Sequence, residues 1–189
     1  MTIHIALLRG INVGGKNKIK MADLRDALGT LGLSRVQTYI QSGNILFESE
    51  EGEAVLRERI EGLIEREFGL SIKVVMRTAE EMAAIVAGCP FTDEQIAAAD
   101  ASSEGECLYV SMLLDAPPAD RVQKLETYAT DVERFVIAGR DIYLLFSQSI
   151  RNSKLAVQAD KLNVPSTVRN WNTVNKLLAM AQEMKVSEV

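Results

Sequence analysis

Between an apolar run, Ile3 to Leu8, and an amphipathic stretch opening near Met21 lies Arg9-Gly10-Ile11-Asn12-Val13-Gly14-Gly15-Lys16-Asn17-Lys18-Ile19-Lys20. It holds three glycines, two asparagines and four cations, and no acid. Glycine frees backbone N–H groups to point in unusual directions, asparagine amides donate hydrogen bonds, and lysines attract from a distance. With a helix N-terminus following, the chemistry on offer is the binding of an anion such as a phosphate or carboxylate. Gly10 to Lys16 satisfies the G-x-x-x-x-G-K pattern of phosphate-binding loops but puts Asn17 where a magnesium-binding Ser or Thr is required. The helix also opens several residues after the lysine, so nucleotide hydrolysis of that kind is not expected. Glycine and asparagine serve the positive-φ positions of tight loops as well, and that structural role stands beside the functional one.

The remaining inventory narrows the chemistry further. His4 is the only histidine and lies in an apolar run, and Cys89 and Cys107 are the only cysteines. A serine or cysteine triad, a histidine-led metal site and a cysteine-rich zinc site lack their ligands or bases. No metal and no catalytic residue is therefore assigned, and the residues name no cofactor. An enzyme would have to work with Lys, Tyr or carboxylate groups. Glu50, Glu51 and Glu53 read as a solvated turn leading into a helix. The start of the chain shows no basic segment ahead of an apolar one, so free thiols and a cytoplasmic location are expected. No apolar run approaches the roughly 20 residues needed to cross a bilayer, and no membrane partner is expected.

The formal charge of −5 is unevenly spread over the 189 residues. Residues 9–20 carry a net +4, and residues 149–176 carry Arg151, Lys154, Lys161, Arg169 and Lys176 against Asp160, again +4, leaving −13 on the remainder. Two basic segments on an acidic body suit a localised anion site, with solvated loop lysines as the plainer alternative.

The elements that would position these residues follow from periodicity. Ile3 to Leu8 is apolar at both parities and predicts a central strand. Met21, Leu24, Leu28 and Leu31 share a helix face ended by Gly32. Val36 to Gln41 and Asn44 to Glu48 flank Ser42-Gly43, a two-residue hairpin connection. A helix over Glu53 to Phe68, stopped by Gly69, precedes the strand Ile72 to Met76. Capping boxes begin at Thr78 and Thr92, and Ala97 to Gly105 reads as a linker. The order then repeats: strand Cys107 to Leu114, a helix after Pro117-Pro118, a hairpin of Val132 to Ala138 with Ile142 to Phe146, and a helix capped by Ser153. The extended run Ser166 to Trp171 and a last helix follow. The expected fold class is α+β, a tandem duplication of a ferredoxin-like βαββαβ plait, with plaits over 1–77 and 106–189, a helical linker over 78–105 and a C-terminal helix.

Three motifs in order, Arg9 to Gly15, Thr38-Tyr39-Ile40-Gln41-Ser42-Gly43-Asn44 and Thr167-Val168-Arg169-Asn170-Trp171-Asn172-Thr173, give the chain a family resemblance. It resembles the uncharacterised bacterial family known as domain of unknown function sixteen ninety-seven. The resemblance implies the same tandem plaits and brings no reaction, substrate or cofactor. It carries over Arg9, Asn12, Gly14, Ser42, Asn44, Arg169, Asn170 and Trp171 as signature positions.

With Gly15 and Lys16 these residues form the candidate ligand-binding set. Arg9 and Arg169 would supply charge, the loop N–H donors, Asn44 and Asn170 directional hydrogen bonds, and Trp171 a stacking face. One composite site for a phosphate-bearing small molecule or nucleotide is expected. The alternative is a single-stranded RNA-binding module, since Tyr109 and Tyr143 fall on the first and third strands of the second plait, where RNA-recognition modules stack bases. The plainer assignments are hairpin support for Ser42 and Asn44, helix capping for Asn172 or Thr173, and a core anchor for Trp171.

Overall fold

The computed structural model describes residues 1–187. Its elements are β1 (Thr2–Leu8), α1 (Met21–Gly29), β2 (Ser34–Tyr39), β3 (Asn44–Ser49), α2 (Glu53–Phe68), β4 (Val74–Thr78), α3 (Ala79–Ala87) and α4 (Asp93–Ser102). They continue as β5 (Leu108–Leu113), α5 (Ala119–Glu126), β6 (Glu133–Ala138), β7 (Asp141–Phe146), α6 (Lys154–Ala159), β8 (Ser166–Asn170) and α7 (Trp171–Val186). The chain is thus α+β, with two four-stranded antiparallel sheets. Its compact units are Met1–Ala84 with Asn175–Val189, and Ile85–Val174, so that α3 and α7 each begin in one unit and end in the other.

In the first unit the strand order is β2-β3-β1-β4. β1 is central because its residues are apolar at both parities and can be buried on both faces, as Ile3 to Leu8 are. Leu56, Ile60, Leu63 and Ile64 recur on one side of α2 and pack with Leu24 and Leu28 of α1 against Ala6, Leu8, Phe47 and Met76. Burying each such side chain contributes about 1.5–3 kcal/mol. Propensity differences between ordinary residues reach only about 0.7 kcal/mol, so packing decides that this segment is helix. Gly69 ends it in the left-handed conformation, at φ 66°, with its N–H on the Glu65 carbonyl.

The second unit repeats the order as β6-β7-β5-β8 around Leu113, Leu125, Ile142, Leu144, Phe146 and Leu155. Register repeats as well as order. The N–H groups of Leu8 and Arg9 donate to the carbonyls of Gly43 and Lys73 at 2.8 and 2.9 Å, and those of Leu113 and Leu114 donate to Arg140 and Pro165 at the same distances. Aligned on these bonds, the pair Ile5 and Arg77 matches Val110 and Arg169, and His4 with Thr78 matches Tyr109 with Asn170. Each half therefore ends its last strand on a buried arginine followed by a capping residue. Thr78 caps α3 in a reciprocal box with Glu81, and the Asn170 Oδ1 accepts from the Thr173 N–H in the first turn of α7. Two halves this similar fit a duplication.

Local details depart from the expected boundaries for identifiable reasons. The β2–β3 connection spans four residues, 40–43, rather than the two of Ser42-Gly43, because Ile40 already leaves the strand at φ 50°. The segment from Ala97 continues as α4 to Ser102, nucleated by the Thr92–Gln95 capping box, where a linker is expected from its small polar composition. Trp171 opens α7 instead of closing an extended run, since Asn170 supplies the cap.

His4 is buried and stacks on Phe47 with ring centroids 5.6 Å apart, and its Nε2 has no hydrogen-bond partner among the described residues. Burial lowers its pKa from the usual 6.5, opposed by a backbone hydrogen bond at Ser49 and by the charges of Glu53, Glu81 and Glu80. The unfolded chain then binds the proton more tightly than the folded one. The stability from neutral His4 is present above pH 6.5 and is lost as pH falls from there through the lower folded value. The urea midpoint is expected to drop between about pH 7.5 and about pH 5.5, and to drop less in His4→Phe. Equal drops in both proteins would remove His4 as the cause.

Candidate functional site

The glycine loop is braced from within. Gly14 and Gly15, at φ 57° and 76°, are the central residues of a tight turn in which the Lys16 N–H donates to the Val13 carbonyl at 3.0 Å. Asn12 sits at φ 53° and spends its whole amide on the fold. Its Nδ2 donates to the carbonyls of Ile19 at 2.9 Å and Gln41 at 2.8 Å, and its Oδ1 accepts from the Ile19 N–H at 2.9 Å. The Asn17 Nδ2 donates to the Gly10 carbonyl at 3.0 Å. Ile11 and Ile19 are buried at the two ends, leaving Lys16, Lys18 and Lys20 exposed between and beyond them. Among the described residues these three lysine side chains enter no ion pair.

The β2–β3 hairpin lies beside this loop, joined to it by the Asn12–Gln41 bond and by the Leu8 N–H on the Gly43 carbonyl. Asn44 is fully buried and clamps the hairpin, donating from Nδ2 to the Tyr39 carbonyl at 3.0 Å and to the Ser42 Oγ at 2.9 Å. Arg9 is half-buried at the loop's entry, its N–H on the Lys73 carbonyl. Of the sequence-derived set, Arg9, Asn12, Gly14, Gly15, Lys16, Ser42 and Asn44 thus share the first unit, and Asn12 and Asn44 act through structural hydrogen bonds.

An open groove of about 630 Å³ runs along the loop, lined by Asn12, Gly15, Lys18, Ile19, Lys20, Asp23, Gln41 and Phe68. It joins an apolar floor, Ile19 and Phe68, to two exposed ammonium groups. The nearby N-terminus of α1 has no side-chain cap, so its first N–H groups are available to an acceptor. Asp23 is the one carboxylate in the lining and competes with any anion there. Lys18 and Lys20 stand out in the sequence only as charge, and Phe68, at the end of α2, also packs against the core. Gln41 and Phe68 reach the groove through tertiary contacts that no local pattern announces.

Arg169, Asn170 and Trp171 belong to the second unit. The Arg169 guanidinium is buried, and its Nη1 donates to the Thr167 Oγ1 at 2.6 Å and the Val168 carbonyl at 3.0 Å. Desolvation lowers its pKa to about 10, which still leaves it charged at neutral pH. Trp171 is half-buried, and the Asn172 Nδ2 donates to the Glu106 carboxylate at 2.7 Å. Tyr143 is buried with its O–H on the Ile85 carbonyl at 2.6 Å, and burial pushes its phenol up to about 12. Tyr109 meets Phe146 edge-on, ring centroids 5.9 Å apart. These aromatics are engaged in packing, as half-buried strand residues commonly are. Cys89 and Cys107 are free thiols, and burial raises the pKa of Cys107.

No helix among the described residues is long and apolar enough to cross a membrane. No curated protein matches the chain. Its structure is similar to that of the conserved bacterial protein SP0830 from Streptococcus pneumoniae, at 29% identity and a TM-score of 0.71, covering 95% of this chain and 98% of that one. The first two of the three sequence motifs, with the loop and hairpin they build, fall inside the region recognised by one family model. Matched over residues 1–143, the chain belongs to the family described as protein of unknown function (DUF1697).

Proposed function

We propose that the protein binds a phosphate-bearing small molecule or nucleotide in the groove beside the glycine loop. The observation that carries this is the groove's composition: exposed Lys18 and Lys20 and an uncapped helix N-terminus for the anion, with Ile19 and Phe68 beneath for an apolar or ring portion. The internal bracing by Asn12 and Asn17 supports it too, because a loop already ordered loses little entropy when a ligand arrives. Gly14, Gly15, Lys16 and Arg9 lie on the same loop and add N–H groups and charge. The fold beneath is read as a duplicated ferredoxin-like βαββαβ plait, with repeats drawn at 1–77 and 106–189 around 78–105. The matching strand orders and registers support that description.

The test is calorimetric titration with inorganic pyrophosphate, nucleoside monophosphates and nucleoside triphosphates. Lys18→Ala combined with Lys20→Ala is expected to weaken any hit at least about tenfold, since each charge-assisted contact contributes about 1.5–3 kcal/mol. An unchanged affinity would move the site elsewhere. Arg169→Ala reads separately whether binding draws on the second basic segment. A single-stranded oligonucleotide that bound tightly, with affinity falling steeply in salt, would instead make the loop a nucleic-acid surface.

A further inference from the structure

We propose a second site, within the second unit, for a small molecule bearing a guanidinium or primary ammonium group. A groove of about 570 Å³ opens between the turn after α5, the end of β7 and the start of α6, where Thr127, Tyr128, Thr130, Glu133, Gln148 and Lys154 line it. Its chemistry is opposite to that of the glycine loop. The carboxylate at its base, Glu133, is 5% exposed. Its Oε1 accepts from the Gln148 Nε2 at 2.7 Å, and among the described residues that neutral amide is its one side-chain partner. Lys154 lines the same groove but is exposed and makes no ion pair with it.

The Glu133 carboxylate has room for about four hydrogen bonds and uses one of them on a neutral side-chain donor, which leaves acceptor capacity for a ligand. The fold holds it firmly. The N–H of Thr130 donates to the Glu133 carbonyl at 2.8 Å, that of Glu133 to the Thr130 carbonyl at 3.3 Å, and Glu133 pairs in register with Phe146. The flanking threonines take part in the turn: the Thr130 Oγ1 accepts from the N–H groups of Val132 and Glu133, and the Thr127 hydroxyl donates to the Lys124 carbonyl. Among the described residues no cation is paired with this carboxylate. A guanidinium supplies two parallel donors to a carboxylate, and Tyr128 in the lining offers a ring for its planar face.

The experiment records nitrogen–proton correlation spectra of the full chain during titration with methylguanidinium, and with tetramethylammonium as a cation without N–H donors. Saturable shifts are expected at the backbone amides of Thr130 and Glu133 and at the Gln148 side-chain amide, with methylguanidinium only. Glu133→Gln, which keeps the shape and removes the charge, should weaken binding at least about tenfold. Lys154→Ala, an exposed change that leaves the fold alone, should tighten it about threefold by removing a like charge. The site is wrong if methylguanidinium gives no saturable shift, if tetramethylammonium gives the same shifts, or if a natively folded Glu133→Gln binds as well as the parent. Should Glu133→Gln fail to fold, Lys154→Ala decides: tighter binding supports the site, and equal or weaker binding overturns it.

Discussion

Gly43→Ala is expected to destabilise the protein by about 3 kcal/mol, combining ~1–2 for a left-handed alanine with ~1–3 for overpacking. Gly43 sits at φ 80°, and a Cβ built there would lie 2.7 Å from both the Ile11 Cδ1 and the Leu8 Cβ. Leu8 is strand and Ile11 is fully buried, so neither neighbour can swing aside as a flexible surface side chain would. The closeness follows from the hairpin folding onto the strand end, where the Leu8 N–H meets the Gly43 carbonyl. Gly139, at φ 61° in the corresponding turn of the second unit, has nothing within 4 Å of such a Cβ. Gly139→Ala should therefore cost only the backbone term, about 1 kcal/mol. Urea midpoints of the two variants measure the difference directly. Equal losses would show that the packing against Leu8 and Ile11 has no weight.

Asn12→Ala is expected to cost about 2–3 kcal/mol, because three hydrogen bonds, each worth roughly 1 kcal/mol net, are lost together, and alanine replaces asparagine at a positive φ. Asn12→Gly removes the same bonds without the conformational penalty and should retain somewhat more stability. The more specific signature is local. The Ile19 N–H now donates to the Asn12 Oδ1, so its hydrogen exchange should accelerate in both variants while the amides of β1 stay protected. Unchanged protection at Ile19 would mean that the loop is ordered by something other than this clamp. Binding at the groove should fall with it, since Lys18 and Lys20 are placed by the residue between them.

Much of this architecture is legible in the residues. The span of α2 follows from the spacing of Leu56, Ile60, Leu63 and Ile64 and from Gly69, because both signals are local. The repeat is legible as an order of elements, whereas the equivalence of Arg77 and Arg169 emerges only from sheet register, which joins residues roughly sixty to seventy positions apart. The candidate site divides in the same way. Its basic loop stands out by composition, but the same types, Gly14, Gly15, Asn12 and Asn44, serve turn geometry and hairpin clamping, and nothing in a residue's identity separates the two uses. That Gln41 and Phe68 line one groove and Glu133 another depends on which long-range neighbours the fold delivers, which no local pattern encodes.

Nuclear magnetic resonance can map an anion directly onto the first unit. With pyrophosphate or a nucleoside phosphate added to the full chain, the largest saturable shifts are expected at the amides of Gly14 to Lys20, Gln41 and the first turn of α1. They should collapse in the Lys18→Ala, Lys20→Ala double variant. Shifts that never saturate, or that saturate on residues away from this loop and persist in the double variant, would contradict an anion site at the glycine loop.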